Sequence, residues 1–459
     1  MEPICVQIRL LAVDLLASMW VNVYLLDKPF FASLNVDCAR GNWRNILPWS
    51  RSVISLPLTH SQIQRQRRPS SVLLRIFATC LTSIILSVHY TNYSPLIPMM
   101  HNALHIDSGQ AGLFSTLLFL GLAAMYIPAG MLADRFGAQP VLIGSCVLLA
   151  TGAILLPLFN NFPWMLLCRG LAGLGAGGAF ITGAGVAASL EKHAALGLGL
   201  YGGSSQIGAG LGLLVTPHLL SFMDWRGCFL FWGLLSLASV LIWLLVNDGQ
   251  EKHVPTRIDL KAALRSLAIW TLGLSHLGTF GLGSAIAAWI TIYFVALYGL
   301  PLTLAATIGS VSLMTGILFR PLGGILLARR IIGAIPLLRL GAIMGSLGIV
   351  LLCIPLRLPA LAIAGLSLIA IGSTIPYTSV FNSAAHLRTV GKGVGQGFIG
   401  VISSPTLILG PPLIGLLLDR TGSFTIAFGS ILFFGCIAMT ASILAGPAVK
   451  REAVLTETR

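Results

Sequence analysis

"GLFSTLLFLGLAAMYIPAGMLADRFG", residues 112–137, holds no charge over its first 22 positions and then closes on Asp134-Arg135 between two glycines. A helix needs about 20 apolar residues to cross the hydrocarbon core of a bilayer. The run is one crossing long, and the acid-base pair stands where water begins. The whole chain repeats this pattern. Of its 459 residues 56% are hydrophobic and only 9% charged, against about 25% charged in a soluble domain. Twelve spans can be marked, at 72–98, 110–133, 140–158, 163–187, 197–220, 227–247, 270–297, 303–328, 334–355, 359–385, 395–418 and 424–446. Long continuous runs, in place of ten-residue alternation, select helices over a barrel. The expected fold class is an all-α polytopic membrane protein with twelve transmembrane helices.

A net charge of +14 would suit a nucleic-acid binder, but Lys and Arg also collect in the cytoplasmic loops of membrane proteins. If residue 72 starts inside, the inner loops hold ten basic residues: Arg135, Lys192, Lys252, Arg257, Lys261, Arg265, Arg329, Arg330, Arg388 and Lys392. The outer loops hold three, Arg226, Arg357 and Arg420. This bias puts both ends of the twelve-helix unit in the cytoplasm, with the protein in the inner or plasma membrane and no nucleic-acid partner. The eight cysteines are scattered, most of them inside apolar runs, without a disulfide or zinc pattern.

The longest connection, 248–269, carries Asp248, Glu251, Lys252, Arg257, Asp259, Lys261 and Arg265. It reads as a cytoplasmic linker between a bundle at 72–247 and a second at 270–446, with a tail at 447–459. Residues 1–71 stand outside this scheme. An apolar stretch, Leu10–Leu26, is broken by Asp14, and a basic segment ends in Arg65-Gln66-Arg67-Arg68. They read as a disordered tail or a mis-called translation start. A signal-like segment lacks a small-residue cleavage site after Leu26, and an extra span would put an odd helix on an even bundle.

An internal repeat supports the division into halves. Gly130 and Gly324 are 194 residues apart. The same offset pairs Leu132 with Leu326, Arg135 with Arg329, and Gly197, Gly199 and Gly203 with Gly391, Gly393 and Gly397. It also pairs Pro217 with Pro411 and Arg226 with Arg420. Two arginines, a proline and four glycines on one gapless offset describe tandem six-helix bundles about an axis along the membrane normal.

Gly130-Met131-Leu132-Ala133-Asp134-Arg135-Phe136-Gly137 resembles the loop signature of the major facilitator superfamily. Arg169-Gly170-Leu171-Ala172-Gly173-Leu174-Gly175 is similar to that family's fourth-helix pattern, as is Trp225-Arg226 before the sixth span. The likeness covers 72–446 and implies two bundles rocking about a central site. Two departures stand out. Ala138-Gln139 replaces a basic pair that often follows the first motif, and Gly212 is followed by Leu213 where the family's antiporters carry Gly-Pro. At the motif, Gly130 is expected to admit a neighbouring backbone, and Asp134 to face a helix N-terminus or an arginine. Arg135, Gly137, Gly324 and Arg329 belong to the same gate, made asymmetric by Ala328 in place of a second aspartate.

Ionisable groups deep in a membrane are functional candidates because leaving them there is costly. None of the 14 Asp and Glu residues falls near the middle of a span, which argues against a carboxylate proton relay. Arg320 lies about four residues inward of the centre of the eighth span, followed by Pro321 and Gly323-Gly324. A guanidinium offers a planar fork of donors to carboxylate, nitrate or phosphate; the competing reading is a side chain that snorkels to the surface. The Arg-Pro-x-Gly-Gly string resembles the eighth helix of nitrate/nitrite, cyanate and organic-anion porters. Those nitrate porters carry a second arginine at the matching place in the first half. Here that place is Tyr126, expected to face Arg320. Arg169 reads either as a proton-coupling or domain-contact residue or as a structural pairing. His89, Asn92, Gln206 and Tyr377 are further candidates to line the path, with His276, Ser373, Thr374, Asn382, Gln396 and Trp289 weaker ones. A lone buried His is also a common interhelical hydrogen bonder. Gly173–Gly178 matches G-x-G-x-x-G, but inside an apolar helix without a preceding strand it reads as close packing.

The expected function is a secondary active transporter moving a small organic or inorganic anion by alternating access. A proton-linked drug or metabolite exporter and a non-transporting receptor of the same fold are the alternatives. No enzyme signature, cofactor or metal site is expected. The partners are the anion, a coupling proton or counter-substrate, and the bilayer, with the chain acting as a monomer.

Overall fold

Backbone polar groups in hydrocarbon must be satisfied internally, and helices do this within one segment. The computed structural model describes residues 72–188, 194–246, 260–385, 387 and 392–457, and among these every regular element is a helix. In chain order the crossings are α1 (Leu73–Leu104), α2 (Ser108–Phe136), α3 (Ala138–Leu158), α4 (Phe162–Ala188), α5 (Ala194–Leu219) and α6 (Trp225–Leu245). The second half supplies α7 (Leu267–Tyr298), α8 (Leu302–Ala328), α9 (Ala334–Cys353), α10 (Pro359–Ala384), α11 (Gly395–Thr421) and α12 (Phe424–Glu452). Eleven of these are long and apolar enough to cross a membrane. α5 is long enough and uncharged, but seven glycines, Ser204, Ser205 and Gln206 dilute its leucines.

The expected extension at 1–71, most of the linker, Lys192 and Arg388 lie outside the described residues. The linker's end is a short helix, Leu260–Arg265, after which Ser266 caps α7 by accepting from the Ile269 N–H at 3.2 Å. The C-terminal helix continues to Glu457, through most of the segment expected to be a tail. Glu452 explains part of this, since it accepts a 2.7 Å bond from the Ser266 hydroxyl. α1 bends where its prolines lie: a turn and a 3-10 segment, Ser94–Leu96, separate its two helical parts. Carboxylates sit at helix ends. Asp107 and Gln110 form a capping box on α2, and Asp224 accepts from the Gly227 N–H of α6 at 2.8 Å.

α6 shows how a helix apolar all round acquires two faces. Leu230, Leu234, Leu237, Leu241 and Leu244 form one exposed stripe at spacings of three and four. Phe229, Trp232, Ser236, Ser239 and Trp243 form the buried stripe. The indole N–H of Trp243 donates to Thr82 Oγ1 at 2.8 Å, and that of Trp232 to Thr216 Oγ1 at 3.0 Å. Lipid meets leucine on one side, and bonded polar groups are hidden on the other.

The glycine run of α4 is a seam between backbones. A Cβ on Gly173 would overlap the carbonyl of Leu118, and one on Gly177 that of Leu122, both on α2. On the other flank a Cβ on Gly175 would lie 2.5 Å from the Ser145 carbonyl oxygen of α3. This close approach, and no nucleotide, is what the G-x-G-x-x-G spacing serves. Gly173→Val should therefore lower the thermal unfolding midpoint in detergent, at a cost of about 1–3 kcal/mol or more. Gly144→Val, whose added carbon meets nothing within 4 Å, should stay within about 0.5 kcal/mol of the parent. Equal behaviour of the two variants would contradict the seam.

Candidate functional site

Arg320 projects from α8 immediately before Pro321, whose ring removes one helical N–H. The side chain is 1% exposed, so it does not snorkel to a surface. Its Nη1 donates to the carbonyl oxygen of Gly202 on α5, in the other half of the molecule. The guanidinium carbon lies 4.1 Å from the ring centroid of Tyr377 and 5.7 Å from that of Phe280. Nε has no hydrogen-bond partner. None of the described Asp and Glu side chains is buried.

Each neighbour is placed by a local feature of its helix. α10 breaks at Ile375-Pro376, and Tyr377 opens the segment that follows. A Cβ on Gly323 would overlap the Ile375 carbonyl, so α8 lies directly against that break. Thr378 Oγ1 donates to the Arg320 carbonyl at 3.2 Å and ties the two helices. Gly202 must be glycine for the same reason: an added Cβ would lie 2.9 Å from Tyr377 Cε1 and 3.1 Å from Arg320 Nη1. Phe280 of α7 stacks on His276, with centroids 5.5 Å apart and planes at 12°. Phe381 meets the edge of His276 at 5.4 Å and Tyr377 at 4.7 Å.

Tyr126 and Arg320 make no direct contact in this arrangement. They share neighbours: Tyr126 is within electrostatic reach of Tyr90 and Tyr377, and so is Arg320. The Tyr126 ring packs on Phe180 at 6.1 Å and under Gly400 of α11. Gln206 is elsewhere, against Gly316, lining a small space of about 10 Å³ with Ser312, Ser373 and Gly283. The Trp289 indole N–H donates to the Pro411 carbonyl at 2.9 Å, and the Thr374 hydroxyl to that of Ala370 at 2.7 Å. Asn382 is exposed and Gln396 half-buried.

His89 and Asn92 are gathered around Arg169, within the first half. Arg169 donates through Nε to the Phe114 carbonyl at 3.1 Å and through Nη2 to the His89 carbonyl at 2.8 Å. Its Nη1 reaches Asn92 Oδ1 at 3.4 Å, and its guanidinium lies 5.3 Å from the Tyr93 ring centroid. His89 Nε2 pairs with Ser236 Oγ at 2.8 Å. This cluster braces the bend of α1 against α2, α4 and α6.

Among the described residues the halves meet mainly along three pairs of helices. Gly109 N–H of α2 donates to Asp419 Oδ2 of α11 at 2.9 Å, and Thr116 Oγ1 to the Ile408 carbonyl at 2.6 Å. Ser94 of α1 donates to the Ala288 carbonyl of α7 at 2.6 Å, its own counterpart 194 residues on. On α5 and α8, Gly210 faces Met314 and Gly202 faces Arg320. Gly130 has the Ile181 methyl as its nearest neighbour, at 4.0 Å, and Gly324 has Thr378 at 3.5 Å, each within its own half. The expected close backbone approach at Gly130 is thus not made here, because the halves are joined at the opposite end. Gly137 is required by its backbone, with φ +90° between α2 and α3. Asp134, Arg135 and Arg329 are exposed, and Arg135 lies 5.2 Å from the Phe136 ring centroid.

The profile of the Major Facilitator Superfamily matches residues 79–404. The chain belongs to that family. The nitrite extrusion protein of Bacillus subtilis is 26% identical over 73% of this chain and 85% of its own length. "Probable sulfoacetate transporter SauU" of Cupriavidus necator is 24% identical over 78% and 91%. "Probable nitrate transporter NarT" of Staphylococcus aureus is 25% identical over 79% and 94%. Among solved structures, a bacterial homolog to the human lysosomal transporter Spinster superposes with a TM-score of 0.67, covering 83% of this chain and 99% of its own at 15% identity. That likeness is one of fold.

Phe280 was not visible as a site residue in the sequence, since a phenylalanine in a span carries no signal of its own. For Arg169, Ala substitution removes the shared donor of two carbonyls and Asn92, each costing about 1–3 kcal/mol when left unpaired. Arg169→Ala should therefore unfold several degrees lower in a detergent melt, and Arg169→Lys should recover part of the loss. Parent-like stability of Arg169→Ala would contradict the bracing role.

Proposed function

We propose that the chain is a secondary transporter of small anions, not an enzyme, and that Arg320 holds the anion. The observation that carries this is a guanidinium 1% exposed, with Nε unpartnered, and without a buried carboxylate among the described residues. A buried charge is costly unless paired. Its acceptor among the described residues, the Gly202 carbonyl, belongs to the other half, so an arriving anion would compete for the contact that joins the halves at this level. Relatives named for nitrite, nitrate and sulfoacetate support the same class.

In this reading the halves at 72–247 and 270–446 rock about Arg320, closed in this structure at the end carrying Asp107 and Asp419. The inner loops carry Asp134, Arg135 and Arg329, both ends of the twelve-helix unit are cytoplasmic, and the working unit is a monomer. Gly130, Gly137, Gly324 and Asp134 act when the motif end closes. Charge balance comes from a coupling proton or a counter-anion.

Arg320→Ala should weaken anion binding at least about 30-fold, the equivalent of about 2 kcal/mol for lost charge-assisted hydrogen bonds. Proteoliposome uptake should fall to background while gel filtration and circular dichroism stay parent-like. Parent-like uptake in that variant would remove Arg320 from the site.

A further inference from the structure

Resting on the reading of Arg320 as the anion site, we propose that this site selects organic monocarboxylates with a flat apolar body over nitrate and over dianions. Three observations carry the argument. The first is the count of charge. Arg320 is the one Arg or Lys of the described site; the residues around it include Tyr377, Phe280, His276, Thr378 and Gly202. The repeat-related position holds Tyr126, which brings no charge. One buried positive charge is balanced by one negative charge. A dianion would leave a second negative charge buried without a partner, which is costly.

The second is the composition of the walls. Tyr377 and Phe280 flank the guanidinium at 4.1 and 5.7 Å. Around them lie His276 and Phe381 in the second half, with Tyr90 of the first within electrostatic reach. Nitrate has almost no apolar surface to bury against such rings. A flat hydrocarbon body gains by burial and by offset or edge contact with ring faces.

The third is the free donor. Nη1 is used by the Gly202 carbonyl, whereas Nε is buried and unpartnered. The edge that Nε shares with Nη2 suits the two oxygens of a carboxylate, and it is reached without displacing the Gly202 contact on Nη1.

The test is equilibrium binding to the purified full chain in lipid nanodiscs, using benzoate, acetate, nitrate and sulfoacetate. Benzoate is expected to bind at least about tenfold more tightly than the other three, from burial of its ring. Phe280→Leu should remove most of benzoate's advantage over acetate, and Phe280→Tyr should keep it, which separates loss of the ring from loss of folding. Nitrate or sulfoacetate binding as tightly as benzoate, and lost in Arg320→Gln, would overturn the class while leaving Arg320 as an anion site. Binding that is indifferent to Arg320→Gln, or no binding of any of the four to folded protein, would overturn the site and the selectivity together.

Discussion

A guanidinium kept at membrane depth must find acceptors, and the arrangement of this molecule's centre follows from how that demand is met. Without a buried carboxylate among the described residues, Arg320 takes what the fold can offer: one backbone carbonyl and two ring faces. The carbonyl is available because Gly202 has no side chain to cover it. The Tyr377 ring is available because α10 breaks just before it. Pro321 and Gly323 let α8 lie against that break. Remove any of these and the charge loses a partner that water cannot replace.

Arg169 is the instructive contrast. It is as deeply buried as Arg320, yet its Nε, Nη1 and Nη2 each meet an acceptor in its own half. Those acceptors are supplied by the bend of α1, by α2 and by Asn92. The result is a satisfied internal brace. Arg320 has a partner across the interface and a donor left over. Two arginines in similar settings thus differ in how completely the protein answers them, and the binding role proposed for Arg320 rests on that difference.

Much of this was legible beforehand. Length and charge marked the spans, and the offset of 194 divided the halves and set Tyr126 opposite Arg320 in the repeat. The membership in the family was carried by Gly130–Gly137. Other features were hidden for a physical reason. In lipid both the outer and inner faces of a helix are apolar, so the alternation that reveals buried faces in water vanishes, as α6 illustrates. That is why Phe280 went unnoticed and why His89 and Asn92 were grouped with the central cation, when packing places them beside Arg169. α5, diluted by glycine, was still marked as a span because it carries no charge. The role of Gly137 rests on its positive φ, which no spacing rule displays.

The seam along α4 has a mechanical consequence. Where side chains interdigitate, helices can slide by exchanging rotamers; where peptide planes touch, there is nothing to exchange. Gly121, Gly173, Gly175 and Gly177 leave α2, α3 and α4 in that second condition, so these three helices form a stiff slab. Displacement of the first half is then transmitted whole, like a lever, to whatever borders it, and deformation is confined to the side-chain-lined joints beyond the slab's edge.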